Sequence, residues 1–188
     1  MGDLSQKLFK AVKSNNIKTV KSLISQGADV NVKDHDYKAT PLHYASLNGY
    51  IKMVDLLINH GADIKAKTTN GVTPLHWSKN PEIAETLIAN GADINAKVDD
   101  GRMPLHLAYD AKVASVMLAH GADVNAKSYN GTTPLHNAIL RNDKDLAEFF
   151  ITHGADINVK NNDRLTPFQL ATQKSDKDVV DVLIRAMC

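Results

Sequence analysis

Residues 40 to 63, TPLHYASLNGYIKMVDLLINHGAD, form a pattern that nearly all the rest of the chain copies in shortened or edited form. Thr40 is placed to cap the first free amides of a helix, and Pro41 takes a helical position that needs no amide donor. Leu42, His43, Tyr44 and Ala45 make one short helix, Asn48-Gly49 breaks it, and Ile51, Val54, Leu57 and Ile58 give a second helix its apolar stripe. Gly61 suits the left-handed residue that stops a helix, and Ala62-Asp63 begins the return. Neither helix is long enough to hold alone, so each unit must bury its apolar face against a neighbour.

The neighbours are visible. Anchor tetrads recur as TPLH at 73 to 76, MPLH at 103 to 106, TPLH at 133 to 136 and TPFQ at 166 to 169, and Gly-Ala-Asp closures begin at 27, 61, 91, 121 and 154. The tetrads are spaced 33, 30, 30 and 33 residues apart. This pattern, with the hexads TPLHYA and TPLHNA, resembles the ankyrin repeat, whose period is about 33 residues and whose signature is T-P-L-H-x-A. The resemblance covers essentially the whole chain. It implies an all-α repeat solenoid of about six helix-turn-helix units with projecting β-hairpin loops. We expect one domain over residues 1–188, with an N-terminal capping unit at 1–33, internal repeats at 34–160 and a C-terminal capping repeat at 161–188. The family's hairpin-tip glycine stands as Gly71, Gly101 and Gly131, where a positive φ is easiest without a Cβ. Lys38 and Arg164 replace it at the outer junctions, and the first hairpin is one residue longer, so loop shape is expected to change there.

The third and fourth units each lack three residues. Their second helices, EIAETLIAN and KVASVMLAH, are full length, so the loss falls on the first helix and its turn, where WSKNP and LAYDA stand. Asn80 and Asp110 then cap the second helices directly, with Pro81 in a first turn. Three residues are about one helical turn, or ~5 Å, which leaves either a notch in the inner wall or a short helix that is simply packed over.

Composition excludes several functions. The chain is 188 residues long, 43% hydrophobic and 23% charged, with a net charge of +1, which gives no ground for nucleic acid or an anionic membrane. Locally, residues 1 to 28 carry five lysines against Asp3 alone, while residues 80 to 125 carry seven acids against Lys97, Arg102 and Lys112. These are either solvated faces or a means of steering a basic partner to the middle. A single cysteine, Cys188, excludes an internal disulfide and fits a reducing, cytoplasmic setting. No stretch has the apolar core of a signal peptide or the length of a membrane span. Gly2 invites myristoylation, but Gln6 stands where Ser or Thr is wanted.

Chemistry is equally sparse. Among the eight histidines, His43, His76, His106 and His136 are the fourth letter of the tetrad, which the resemblance makes structural hydrogen bonders. His60, His120 and His153 precede the glycine that ends a second helix, where a cationic residue suits the dipole. No HExxH, Walker or GxSxG arrangement occurs, so no enzyme activity, cofactor or metal is expected. Asn31, Asn95, Asn125 and Asn158 are expected to satisfy backbone groups in the hairpins. In animal cytosol the family can be hydroxylated at such a residue, and Asn31 and Asn95 have suitable neighbours.

Function is therefore expected at variable positions of the hairpin tips and inner helices, as non-enzymatic binding of a partner protein by a monomer. The candidate contacts are Tyr37, Asn70, Trp77, Asp99, Asp100, Arg102, Tyr109, Tyr129, Asn130, Leu140 and Arg141, with Tyr, Trp and Arg favoured as hot-spot types. Trp77, as the residue after the tetrad histidine, is more often core than contact. The alternatives are a structural or targeting segment of a larger protein, which exposed Val180 and Leu183 would favour, and a secreted effector of an intracellular microbe. The latter is suggested only by eighteen Lys against four Arg and abundant Asn.

Overall fold

The computed structural model describes residues 3–174 and 177–187. Gly2 and Cys188, singled out above, lie outside the described residues. Contacts gather the chain into two compact units, Met1–Asp93 and Ile94–Cys188. No strand occurs among the described residues.

In the first unit, helices α1 (Asp3–Lys13), α2 (Ile17–Ser25), α3 (Pro41–Leu47) and α4 (Ile51–Asn59) are followed by a single 3-10 turn, Pro74–Trp77, and α5 (Pro81–Ala89). Helix α1 packs on α2 and α3, α3 packs on α4 and the 3-10 turn, and α4 packs on α5. Leu8, Val12, Val20, Leu42, Met53, Leu57, Leu75 and Ile83 are completely buried in this stack. The predicted stripe is therefore core, although Ile51 and Ile58 sit at its half-buried margin.

The second unit opens with another 3-10 turn, Pro104–Leu107, then α6 (Ala111–Ala119), α7 (Pro134–Leu140), α8 (Lys144–Thr152), α9 (Pro167–Gln173) and α10 (Lys177–Met187). Helix α7 packs on α8, α9 and the 3-10 turn, and α10 packs on α8 and α9. Leu135, Ile139, Phe150, Val179 and Leu183 are completely buried.

The missing three residues have the effect read from the sequence. The shortened units replace a seven-residue first helix with a four-residue 3-10 turn. The Asn80 side chain then accepts from Glu82 N–H at 2.8 Å and Asp110 from Val113 N–H at 2.9 Å, as caps of α5 and α6.

The hairpin loops are tight turns closed by backbone hydrogen bonds, as from Thr68 N–H to Val72 O and Gly71 N–H to Thr68 O, with the same two bonds at Val98, Arg102 and Gly101 and at Ser128, Thr132 and Gly131. Arg164, with φ of 61°, takes the left-handed conformation of the glycines it replaces, and Asn161 N–H still closes on Leu165 O at 3.0 Å. The expected change of loop shape does not occur there, because an L residue can occupy that region at a cost of about 1–2 kcal/mol. Lys38 adopts a φ of 58°, and only its extra residue alters the loop: Asp34 N–H closes on Ala39 O, five residues on.

Three tetrad histidines, His43, His106 and His136, each tie their own repeat to the next hairpin. His43 Nδ1 accepts from Thr40 N–H at 3.1 Å and its Nε2–H donates to Val72 O at 3.0 Å, while His136 bridges Thr133 and Leu165 in the same way. Asparagines make a second tie. Asn31 donates to Gly61 O and accepts from Asp63 N–H, and Asn125 does the same with Gly154 and Asp156. For Asn31 and Asn125 the expectation that the side chain satisfies backbone groups holds, with the detail that the groups belong to the following repeat.

Candidate functional site

The candidate contact surface of the second unit is built on consecutive hairpins and α7. Tyr129 N–H donates to Asp100 O at 3.0 Å, and Asn162 N–H donates to Asn130 O at 3.0 Å, so the tips are linked backbone to backbone. Gly101 permits the first of these approaches, since a Cβ there would lie 2.6 Å from both the Tyr129 nitrogen and its ring. The consequence is an outward Tyr129 ring, 62% exposed, with Lys97 Nζ 5.3 Å from its centroid. Tyr109 and Leu140 are also large apolar side chains left exposed, while Asp99 and Asn130 project as polar tips.

Asp100 and Arg102 form an ion pair inside one turn. Arg102 Nε lies 2.8 Å from Asp100 Oδ2 and 3.0 Å from Oδ1, and Arg102 N–H donates to Oδ1 as well. Burial alone would push the Asp100 carboxyl up, but the side-chain and backbone hydrogen bonds from Arg102 outweigh it and hold the carboxyl below its ordinary value. With Ser128, Asn130, Thr132, Asn137 and Leu140, this pair lines a cleft of about 290 Å³.

Arg141 is committed within the unit. Its Nη1 donates to Ala108 O at 2.6 Å and its Nη2 to Tyr109 O at 3.0 Å, which closes the carbonyls at the end of the shortened first helix. Lys174 makes the equivalent reach one repeat on, from Nζ to Leu140 O at 2.7 Å.

In the first unit, Tyr37 is 57% exposed at the first hairpin, and its carbonyl accepts from Thr69 N–H at 2.8 Å. Asn70 is exposed at the next tip. Trp77 is half-buried, edge-on to His43 at 5.4 Å and to Tyr44 at 6.2 Å. Sequence reasoning missed a neighbouring group. Tyr44 OH donates to Asp34 at 2.6 Å, Lys13 Nζ sits 4.1 Å from the Tyr44 ring centroid, and Phe9 meets that ring edge-on. Phe9, Lys13 and Asp34 help line a cavity of about 530 Å³. Burial and the Asp34 hydrogen bond both push the Tyr44 phenol upward, so it stays protonated as the donor. The lysine run on α1 was the only signal available for this group.

Among the described residues, no group of three or more His, Cys, Asp or Glu side chains is arranged to hold a metal, and no helix is long and apolar enough to cross a membrane. His60 and His153 each place Nδ1 on a carbonyl of the preceding turn, those of Leu56 and Phe149.

The repeating helix pairs, capped by tetrads and joined by tight hairpins, define a repeat protein, and the family model for ankyrin repeats (3 copies) matches residues 8–98, 79–161 and 105–188. The chain belongs to the ankyrin repeat family. It is similar to ARF GTPase-activating protein Git of Drosophila melanogaster, 36% identical over 77 residues, which is 41% of this chain and 10% of that protein. Palmitoyltransferase AKR1 of Lachancea kluyveri is 42% identical over 67 residues, 36% of this chain and 9% of the relative. The 2-5A-dependent ribonuclease of Mus musculus is 40% identical over 67 residues, with the same two shares. The matches thus cover at most a tenth of these relatives' own length. Ankyrin repeats are generally protein-protein interaction modules and typically non-catalytic.

Proposed function

We propose that the chain is a non-enzymatic, cytoplasmic protein-binding module that uses its hairpin tips and first helices to hold one partner protein. The observation that supports this is where the surface leaves large apolar side chains. Of the six such exposed residues among the described ones, Tyr37, Tyr109, Tyr129 and Leu140 lie at hairpin tips or at the ends of first helices. Aromatic side chains carry large contact area at low entropic cost, so they are the residues an interface is built around. Asp99 and Asn130, exposed at the tips of the same hairpins, supply polar contacts beside Tyr129. Arg141 supports that surface by fixing the segment that carries Tyr109.

Affinity capture from cytosolic extract of the source cells, with wild type beside a Tyr129→Ala/Leu140→Ala variant, tests this function. One protein retained by wild type and lost with the folded variant is expected. Equal retention by both would remove this surface from the interface.

A second function, a structural or targeting segment of a larger protein, draws support from Ile184 and Met187, which are 45% and 51% exposed on α10. Against it, Leu183 is fully buried and Val180 half-buried, so the residues that would have favoured it are occupied in the fold. Substituting Ile184 and Met187 with polar residues leaves partner capture unchanged if the first function holds.

A further inference from the structure

The cleft between the 98–102 and 128–132 hairpins and α7 has an excess of hydrogen-bond donors. Arg102 spends only Nε on Asp100, which leaves the two terminal nitrogens of the guanidinium, its second fork edge, without a partner. Both Asp100 oxygens already accept, Oδ1 twice and Oδ2 once. Asn137 lines the same cleft, is 7% exposed, and its Nδ2 makes no hydrogen bond. A buried amide donor left unsatisfied is costly, so an acceptor from outside gains more here than at an ordinary surface. Leu140 adds one exposed apolar wall.

We propose that this cleft is a subsite for a partner's side-chain carboxylate, an Asp or Glu with an apolar residue beside it, held by the free edge of Arg102 and by Asn137. This rests on the protein-binding function proposed above and names the chemistry it reads. The planar guanidinium edge matches a carboxylate bidentately, and such charge-assisted bonds are roughly twice as strong as neutral ones. Asp100 sets the limit of the preference. It fixes Arg102 in place through Nε and the backbone, and its own charge opposes a second acid that approaches from any direction but the free edge. A cationic occupant would meet the like charge of Arg102 and would leave Asn137 unsatisfied. The cleft volume of about 290 Å³ admits one or two side chains rather than a folded element.

Panning a random dodecapeptide library over the immobilised full chain tests this. With the peptides' carboxyl ends fused to the display protein, side chains are the only carboxylates. The expected result is enrichment of sequences that pair Asp or Glu with an apolar neighbour. Binding of the consensus peptide should weaken at least tenfold for Arg102→Gln, and nearly as much for Arg102→Lys, which keeps the charge but not the fork. Replacing the acid of the peptide with its amide should produce the same loss. Unchanged circular dichroism and melting establish that the variants are folded. Selection of neutral peptides, retention of none, or equal binding by Arg102→Gln overturns the carboxylate assignment. If neutral peptides are selected and Tyr129→Ala still abolishes their binding, the surface remains an interface and only its chemistry was misassigned. If Tyr129→Ala also leaves their binding intact, the protein-binding surface fails as well.

Discussion

Arg141 reaches back a full repeat to Ala108, its Nη1 donating to the Ala108 carbonyl at 2.6 Å. Three missing residues truncate the first helix of that unit and leave its last carbonyls without the amides that a further turn would supply. The next repeat supplies a guanidinium in their place. Arg141→Ala is expected to lower unfolding free energy by about 2 kcal/mol, because hydrogen bonds to charged groups contribute roughly 1.5–3 kcal/mol. Urea denaturation of the two proteins measures it. Arg141→Lys should recover only part of the loss, since one ammonium cannot span the Ala108 and Tyr109 oxygens with the same fork.

The fourth unit also has a defective cap. Met103 stands where the other tetrads have Thr, so His106 Nδ1 accepts from Met103 N–H at 3.1 Å but no hydroxyl completes the pair, as Thr133 does with His136 at 2.9 Å. Met103→Thr should stabilise the protein by about 1 kcal/mol, the usual worth of an N-cap hydroxyl. Thermal melting should show an upward shift, and no shift would mean that packing of the Met103 side chain offsets the cap.

The tetrad histidines make stability depend on pH. Burial holds the His43, His106 and His136 rings below the ordinary imidazole value, against the opposing effect of the carbonyl to which each Nε2–H donates. Each ring is neutral in the fold because Nδ1 must accept, whereas an unfolded histidine takes up a proton at about pH 6.5. The unfolded state therefore binds more protons in the window below that value. The stability is fully present above about pH 6.5 and is lost as pH falls from there toward the depressed folded values. Chemical denaturation at a series of pH values should show that fall. His136→Gln should flatten the slope, since Gln169 already plays the acceptor's part at the last tetrad, taking Thr166 N–H at 3.0 Å.

Two glycines with similar φ should respond differently to alanine. At Gly121 (φ 90°) a Cβ meets nothing within 4 Å, so only the backbone cost of about 1–2 kcal/mol applies. At Gly101 (φ 81°) the same atom meets the Tyr129 backbone nitrogen at 2.6 Å, so the hairpins must separate. Gly101→Ala is expected to lose more stability than Gly121→Ala and to shift the Tyr129 amide resonance. Equal losses would show that the hairpins are not held this close.

The fold was legible because one pattern, repeated at a fixed period, specifies the cap, the apolar stripe and the helix stop together. His43, Leu57 and Gly61 each do in the structure what their residue type dictates, while the Thr40 hydroxyl pairs with His43 Nδ1 at 2.9 Å. Even the deletions could be placed, since Asn80 and Asp110 are cap residues at the only position where a cap could act. What could not be read were contacts that depend on a neighbour one repeat away. Nothing about Arg141 or Lys174 in isolation distinguishes a surface cation from one seated on the carbonyl of Ala108 or Leu140. The Tyr44, Lys13 and Asp34 group was hidden for the same reason, because α1 and the first hairpin converge only after folding. The exposed candidates were easier, as hairpin tips are outward by construction, and Tyr37, Tyr109 and Tyr129 all project. Asn137 was invisible, since the residue after the tetrad histidine gives no sign of whether its amide finds a partner.

The protein-binding function rests most directly on Tyr129, an exposed ring on a buried scaffold. Titration calorimetry of the captured partner against wild type, Tyr129→Ala and the outward control Glu148→Ala, beside thermal melts of all three, tests it. Tyr129→Ala should weaken binding by about 1–3 kcal/mol, with the melting temperature nearly unchanged and the control behaving as wild type. Undiminished binding by Tyr129→Ala, or a loss of binding that appears only with a loss of folding, would contradict it.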